Sequence, residues 1–248
     1  MNPNTMVIKI DPQLISYQRL RQIVGVLGML LPVILVVGNS LNEGYFKILS
    51  SISYYYYSNM GDVFTGILFA IGVFLFTYSP YRNETKKDSR LSSLACYCAI
   101  GVAIFPTSFE GDTAKGIISN IHFICAGAFF VIISYFALVL FRKTGTDTST
   151  DDPLPKPESK DEKIKKDLRN RIYFACGIIM YACIFIILLN HFFKDRWHTE
   201  GTCFVFAFET IALWAFGFSW WVKGEAILED NKKSEETIPT KTQVVSSD

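Results

Sequence analysis

The sequence predicts an all-α polytopic membrane protein: a bundle of six transmembrane helices with both termini in the cytoplasm. Three observations predict it. Half of the 248 residues are apolar. The charged residues, 19% of the chain, stand in short blocks between long uncharged runs, which a soluble protein avoids because its amphipathic helices need a polar face. Each uncharged run approaches the roughly 20 residues that a helix needs to cross about 30 Å of hydrocarbon.

The first run is Gln22–Asn42, interrupted only by Pro32, which a helix in lipid tolerates when neighbours satisfy the freed carbonyl. The second, Val63–Tyr81, is rich in Phe and closes on Pro80. The third, Leu91–Phe109, is the least apolar, opening on Ser92 and Ser93 and holding Pro106 near its end. The fourth is Gly116–Phe141, the fifth Ile172–Phe193 and the sixth Gly201–Val222. None alternates polar and apolar residues as strands of a membrane barrel do. The chain then divides into an N-terminal segment 1–21, helices one to four over 22–142, a loop 143–170, helices five and six over 171–223, and a tail 224–248. Lys143–Lys166 and Asn231–Asp248 hold too few apolar residues to bury and are expected to be unstructured. The N-terminus does not resemble a cleavable signal, because the apolar run after Arg21 is too long.

Orientation follows from the basic residues. With the N-terminus inside, twenty of the 24 Lys and Arg residues face the cytoplasm, and only Lys47, Lys115, Lys194 and Arg196 face out. The Asn83-Glu84-Thr85 sequon then faces the cytoplasm and stays bare. A net charge of +1 gives no reason to expect a nucleic-acid partner; the expected partner is membrane lipid, and the expected location is the cell membrane, multi-pass, as in a bacterial inner membrane. Of the six cysteines, Cys96, Cys98, Cys125, Cys176 and Cys183 fall within apolar runs, where a thiol behaves as a small hydrophobe. Cys203 alone lies near water, and no disulfide is expected.

The chemistry-bearing residues cluster at the outer face. Glu209 lies roughly two turns into the sixth span and His122 about one and a half turns into the fourth, both counted from outside. A carboxylate in hydrocarbon costs several kcal/mol unless paired or neutralised, which makes Glu209 a functional candidate by default; the alternative is a structural pairing with His122, at nearly the same depth, or with a backbone group. Asp62 caps the outer end of the second span. His191, His198, Glu110 and Asp112 fall in or beside the outer loops. In the first outer loop, Ser50-Ser51-Ile52-Ser53 precedes Tyr54, Tyr55, Tyr56 and Tyr57. Two readings stay open there: an interfacial tyrosine belt, or a short helix over the mouth of the bundle presenting hydroxyls to Asp62. Gly66 and Ala70, four apart below Asp62, suggest a closely packed face.

Ser51-Ile52-Ser53 through Tyr57, Asp62-Val63-Phe64-Thr65-Gly66, Ala99 to Thr107, Ile121-His122-Phe123, Trp214 to Gly217 and Val222 to Glu225 together resemble a family of uncharacterised bacterial six-span membrane proteins, which implies this topology and no activity. A more distant similarity is to the superfamily of alkaline ceramidases and progestin–adiponectin receptors, which hold zinc with three histidines beside a serine and an aspartate. Ser53 matches that serine, but Tyr57 stands where the family has a histidine, and His191 and His198 are seven apart rather than four.

The reading is a membrane protein, not assigned as an enzyme, with an outward-facing polar pocket whose candidates are Asp62, His122, Glu209, Ser53 and Tyr57. It would take a small polar ligand, a proton or a lipid headgroup and needs no cofactor. Two alternatives stay open. One is a metal-dependent lipid or amide hydrolase, with His122, His191 and Asp62 holding zinc. The other is a structural or partner subunit of a membrane complex.

Overall fold

The computed structural model describes residues 12–78, 86–108, 116–142, 160–199 and 201–224. Among them are six α-helices and no strand: α1 Pro12–Glu43, α2 Gly61–Thr77, α3 Lys86–Ile104, α4 Gly116–Tyr135, α5 Lys160–Trp197 and α6 Phe204–Lys223. A 3-10 turn, Ile52–Tyr57, lies between α1 and α2, and a π-helical segment, Phe136–Leu140, extends α4. The N-terminal residues 1–11, the sequon, Glu110, Asp112, the loop 143–159 and the tail 225–248 lie outside the described residues.

Four helices are long and apolar enough to cross a membrane, by length and composition: Gln18–Glu43 in α1, Gly116–Leu140 in α4 and its extension, Lys160–Phe193 in α5, and α6. Two shorter apolar helices, Gly61–Thr77 and Ser89–Ile104, accompany them. Leu41, Ile117, Ile124 and Phe192 are exposed while Asn39, Ser134 and Asn190 are buried. Soluble bundles arrange these residue types the other way, so the molecule has the form of a membrane protein.

The helix ends depart from the apolar runs for identifiable reasons. α1 starts ten residues before Gln22 and passes through Pro32 without a break. It stops at Gly44, whose φ of +77° is open to glycine and whose N–H reaches the Ser40 carbonyl at 3.0 Å. α3 stops at Ile104, short of the expected Phe109, because the residue before Pro106 is pushed out of helical geometry. α5 begins at Lys160, so residues 160–170, expected to be loop, are helical instead. Asp161 and Glu162 occupy its first turn, which suits the helix dipole, and each stands four residues before a lysine, the favourable order for such pairs. At 38 residues α5 is about 57 Å long, well beyond the thickness of a bilayer core.

Each helix packs against the next, and α6 returns to α1, closing a six-membered ring with α4 touching α6 across it. The α1–α6 seam is the closest. A Cβ on Gly25 would lie 2.5 Å from the Gly217 carbonyl oxygen, and one on Gly217 would collide with the Gly25 carbonyl. Both positions therefore need glycine, as close crossings between membrane helices do. The Trp214 indole N–H adds a 3.0 Å bond to the Met29 carbonyl in the same seam. The close packing expected at Gly66 and Ala70 is not there: both are exposed, and a side chain on Gly66 would meet nothing within 4 Å. The α2–α3 contact runs instead through Gly72, against Ala99 and Ile100.

One end of the ring is filled by aromatic rings. Trp220, 0% exposed, meets Phe74, Tyr78 and Phe141 edge-on at centroid distances of 5.4, 4.9 and 5.2 Å. Arg21 lies over Tyr78 and Lys223 over Phe141, and Gln22 donates to the Gly224 carbonyl at 2.7 Å. The opposite end, where α1, α3 and α5 finish and α2, α4 and α6 start, carries the polar groups.

Candidate functional site

The site is built around Ser50–Ser58. Ser51 is extended (φ −148°, ψ 152°) and its hydroxyl accepts the Ser53 N–H at 3.0 Å. Serine here acts as the N-cap that starts the 3-10 turn. At the far end the Ser58 hydroxyl donates to the Tyr55 carbonyl at 2.8 Å, and the Gly61 N–H bonds back to the Ser58 carbonyl at 3.0 Å. The stretch is therefore a closed cap leading directly into α2. The tyrosine run forms a short 3-10 turn, as the second reading expects. Tyr55 is fully buried, its hydroxyl accepting the Leu49 N–H at 3.3 Å. Burial pushes its phenol above the ordinary range, against the opposing pull of the Leu49 bond. Tyr57, half in solvent, donates to the Thr107 carbonyl at 2.6 Å.

Glu209 stands about 8 Å along α6 from Phe204. Its Oε2 accepts the Ile52 N–H at 2.6 Å and its Oε1 accepts the Ser51 hydroxyl at 3.3 Å. One turn earlier the Phe206 N–H, which as a first-turn amide has no partner inside its own helix, donates to the Ser50 carbonyl at 2.9 Å. Residues 50–52 are thus fastened along the start of α6.

His122 stands about 9 Å along α4 from Gly116, at matching depth, and is 2% exposed. Its Nε2 lies 2.9 Å from the Ser53 hydroxyl and its Nδ1 lies 2.7 Å from the Phe105 carbonyl oxygen. A carbonyl only accepts, so Nδ1 carries the proton. In the neutral ring Nε2 then presents its lone pair, and Ser53 donates to it. The Phe105 carbonyl is free for this role because α3 has just ended before Pro106. Ser108 ties the same segment to α4, its N–H and hydroxyl both 3.1 Å from the Ser119 hydroxyl.

The candidates therefore divide. His122, Glu209, Ser53 and Tyr57 all serve the cap. Although their equal depth suggests a contact, Glu209 and His122 do not meet directly; residues 51–53 stand between them and bond to both, and Glu209 takes a backbone group, the Ile52 N–H, as its partner. Asp62 lies exposed in the first turn of α2, on the face shared with Gly66, and does not receive the cap hydroxyls. His191 is exposed at the end of α5, its ring 5.8 Å from Phe123, which is itself 5.9 Å from the His122 ring. Among the described residues no group of three or more His, Cys, Asp or Glu is placed to hold a metal ion, and both nitrogens of His122 are already engaged. Cys203 is exposed, its Sγ 3.8 Å from the Ile48 carbonyl oxygen. Sequence reasoning missed Ser51, the Ile52 amide and the carbonyls of Phe105 and Thr107. The one available signal was Pro106, which obliges the preceding helix to leave carbonyls without helical partners. Comparison of the chain with protein-family models, with curated proteins and with solved structures returned no match.

Proposed function

We propose that the chain is a six-span cell-membrane protein with cytoplasmic termini, whose cap at Ser50–Ser58 is an outward-facing clasp opened by a proton or a small polar ligand such as a lipid headgroup. The charge asymmetry supports the orientation. One observation carries the function: an acid, Glu209, and a base, His122, hold three consecutive residues of the cap from opposite sides. A clasp that only fixed helix packing would need neither group, since neutral amides and hydroxyls offer the same donors and acceptors without a charge to gain or lose.

The two groups respond to protons differently. Ionised Glu209 accepts two bonds of the charge-assisted kind, about twice as strong as neutral ones. Protonation leaves neutral bonds of about 1 kcal/mol each. Protonated His122 would donate from both nitrogens, so Ser53 would turn its hydroxyl and accept. The Glu209 side is therefore the one that loosens, and a ligand offering its own donors competes there.

The test is the reactivity of a cysteine placed at Ile52, which is buried, in a Cys203→Ser background. An impermeant maleimide should label it slowly, and Glu209→Gln should raise the rate at least tenfold with the helices still folded. Equal rates would leave the cap a fixed part of the scaffold and end the proposal.

A further inference from the structure

We infer that Ser53 is a nucleophile, with His122 as its base, for acyl transfer from an ester or amide of an outer-leaflet lipid. Three of the other buried serines, Ser92, Ser134 and Ser219, give their hydroxyl protons to backbone carbonyls of Leu75, Phe130 and Phe216. A carbonyl satisfies a hydroxyl but cannot take its proton. Ser53 gives its proton to an imidazole lone pair at 2.9 Å, and that imidazole is held in the required tautomer by the Phe105 carbonyl at 2.7 Å. This is the arrangement that activates a serine: nucleophile to base within hydrogen-bond reach, and base to a third, orienting group. Ser53 and His122 are 8% and 2% exposed, so the pair is shielded from bulk water.

The inference rests on the clasp reading, because a substrate must displace the cap's present contacts. That displacement has a chemical use. When Glu209 lets go, the Ile52 N–H and the Ser51 hydroxyl are released within two residues of Ser53, and donors of this kind are what a developing oxyanion needs. The Ser53 Oγ attacks the acyl carbon as its proton passes to His122 Nε2, and the carbonyl electron pair moves onto oxygen. Collapse breaks the C–O or C–N bond, and the leaving alcohol or amine departs with the proton from His122. Water then gives a proton to His122 and attacks the acyl-Ser53 ester, and Ser53 leaves with that proton. The cycle consumes only water and involves no oxidation or reduction. The lipid class follows from position: Ser53 lies in one turn with Tyr54–Tyr57, a residue type that favours headgroup depth, at the end of a bundle that exposes Leu41, Ile117, Ile124 and Phe192.

The full-length protein in detergent micelles is treated with two fluorophosphonates, one with a long alkyl chain and one short and polar, and adducts are mapped by peptide mass spectrometry. The expected result is a stoichiometric adduct on Ser53 from the alkyl probe, at least fivefold faster in Glu209→Gln, and absent after heat denaturation. Ser53→Ala should lose the adduct, and His122→Gln should slow it at least a hundredfold. No adduct on folded wild-type protein or on Glu209→Gln would overturn the inference, as would an adduct on a different side chain. Labelling by the short polar probe alone would overturn the lipid assignment. Faster maleimide labelling at position 52 without any phosphonate adduct would leave the clasp standing and remove only the nucleophile.

Discussion

The two ends of the helix ring are held by different physics. At the aromatic end Trp220 is enclosed by Phe74, Tyr78 and Phe141, and the attraction is spread over many ring contacts, none of which can be switched off alone. At the cap end a short turn is held by a few directional bonds to Glu209, His122 and the Thr107 carbonyl. Each of these depends on a proton or a lone pair being in a particular place. On the proposed reading, the comparison teaches where a membrane bundle can carry a moving part: one end carries the stability, and the other responds. The buried serines toward the aromatic end, Ser92, Ser134 and Ser219, bond only to nearby backbone carbonyls, whereas the ionisable Glu209 and His122 lie at the cap end.

Substitutions should separate the two ends. The largest effect is expected from Trp220→Ala, which removes the central ring of the aromatic end and should destabilise the protein by about 3–5 kcal/mol. Unfolding in mixed micelles would measure it, and a loss below about 1 kcal/mol would show that the rings do not anchor this end. Gly217→Val comes next. Its side chain would drive α1 and α6 apart at their closest point, with an expected loss of about 1–3 kcal/mol by the same assay; no loss would mean that the seam adjusts.

Smaller effects on stability, but larger ones on the cap, are expected from the polar end. Glu209→Gln should lower global stability by no more than about 1 kcal/mol, since the amide oxygen still accepts the Ile52 N–H. Its main consequence should be local, the rise in reactivity at position 52. Tyr57→Phe should be the mildest, removing one neutral hydrogen bond to Thr107 at the low end of the usual range, roughly 0.5 kcal/mol. If Tyr57→Phe opened the cap more than Glu209→Gln does, the tyrosine rather than the acid would be the latch.

Much of the fold is legible in the sequence, because apolar runs of helical length have few other destinations. The helix ends are harder to read. The start of α5 at Lys160 depends on acidic residues in a first turn and on lysines four residues later, signals that sit within a stretch whose composition reads as loop. The depth of Glu209 and His122 is also legible, since depth is residue count times rise. The direction in which a side chain points around its helix is not. A soluble helix announces its inner face by an apolar stripe, but a helix in lipid is apolar all round. That is why Asp62, Gly66 and Ala70 can be read as facing the bundle when they face out, and why Glu209 and His122 read as partners when each in fact grips the cap. The serines of that cap look like ordinary loop residues until the carbonyl freed at Phe105 and the carboxylate of Glu209 are seen beside them.

The central claim, that the cap opens as a unit while the aromatic end stays fixed, is tested most directly by hydrogen–deuterium exchange in micelles on wild type and Glu209→Gln. The account predicts at least a tenfold rise in amide exchange across residues 49–58 in Glu209→Gln, with residues 70–78 and 214–222 unchanged. Exchange rising equally at both ends, or at neither, would contradict it.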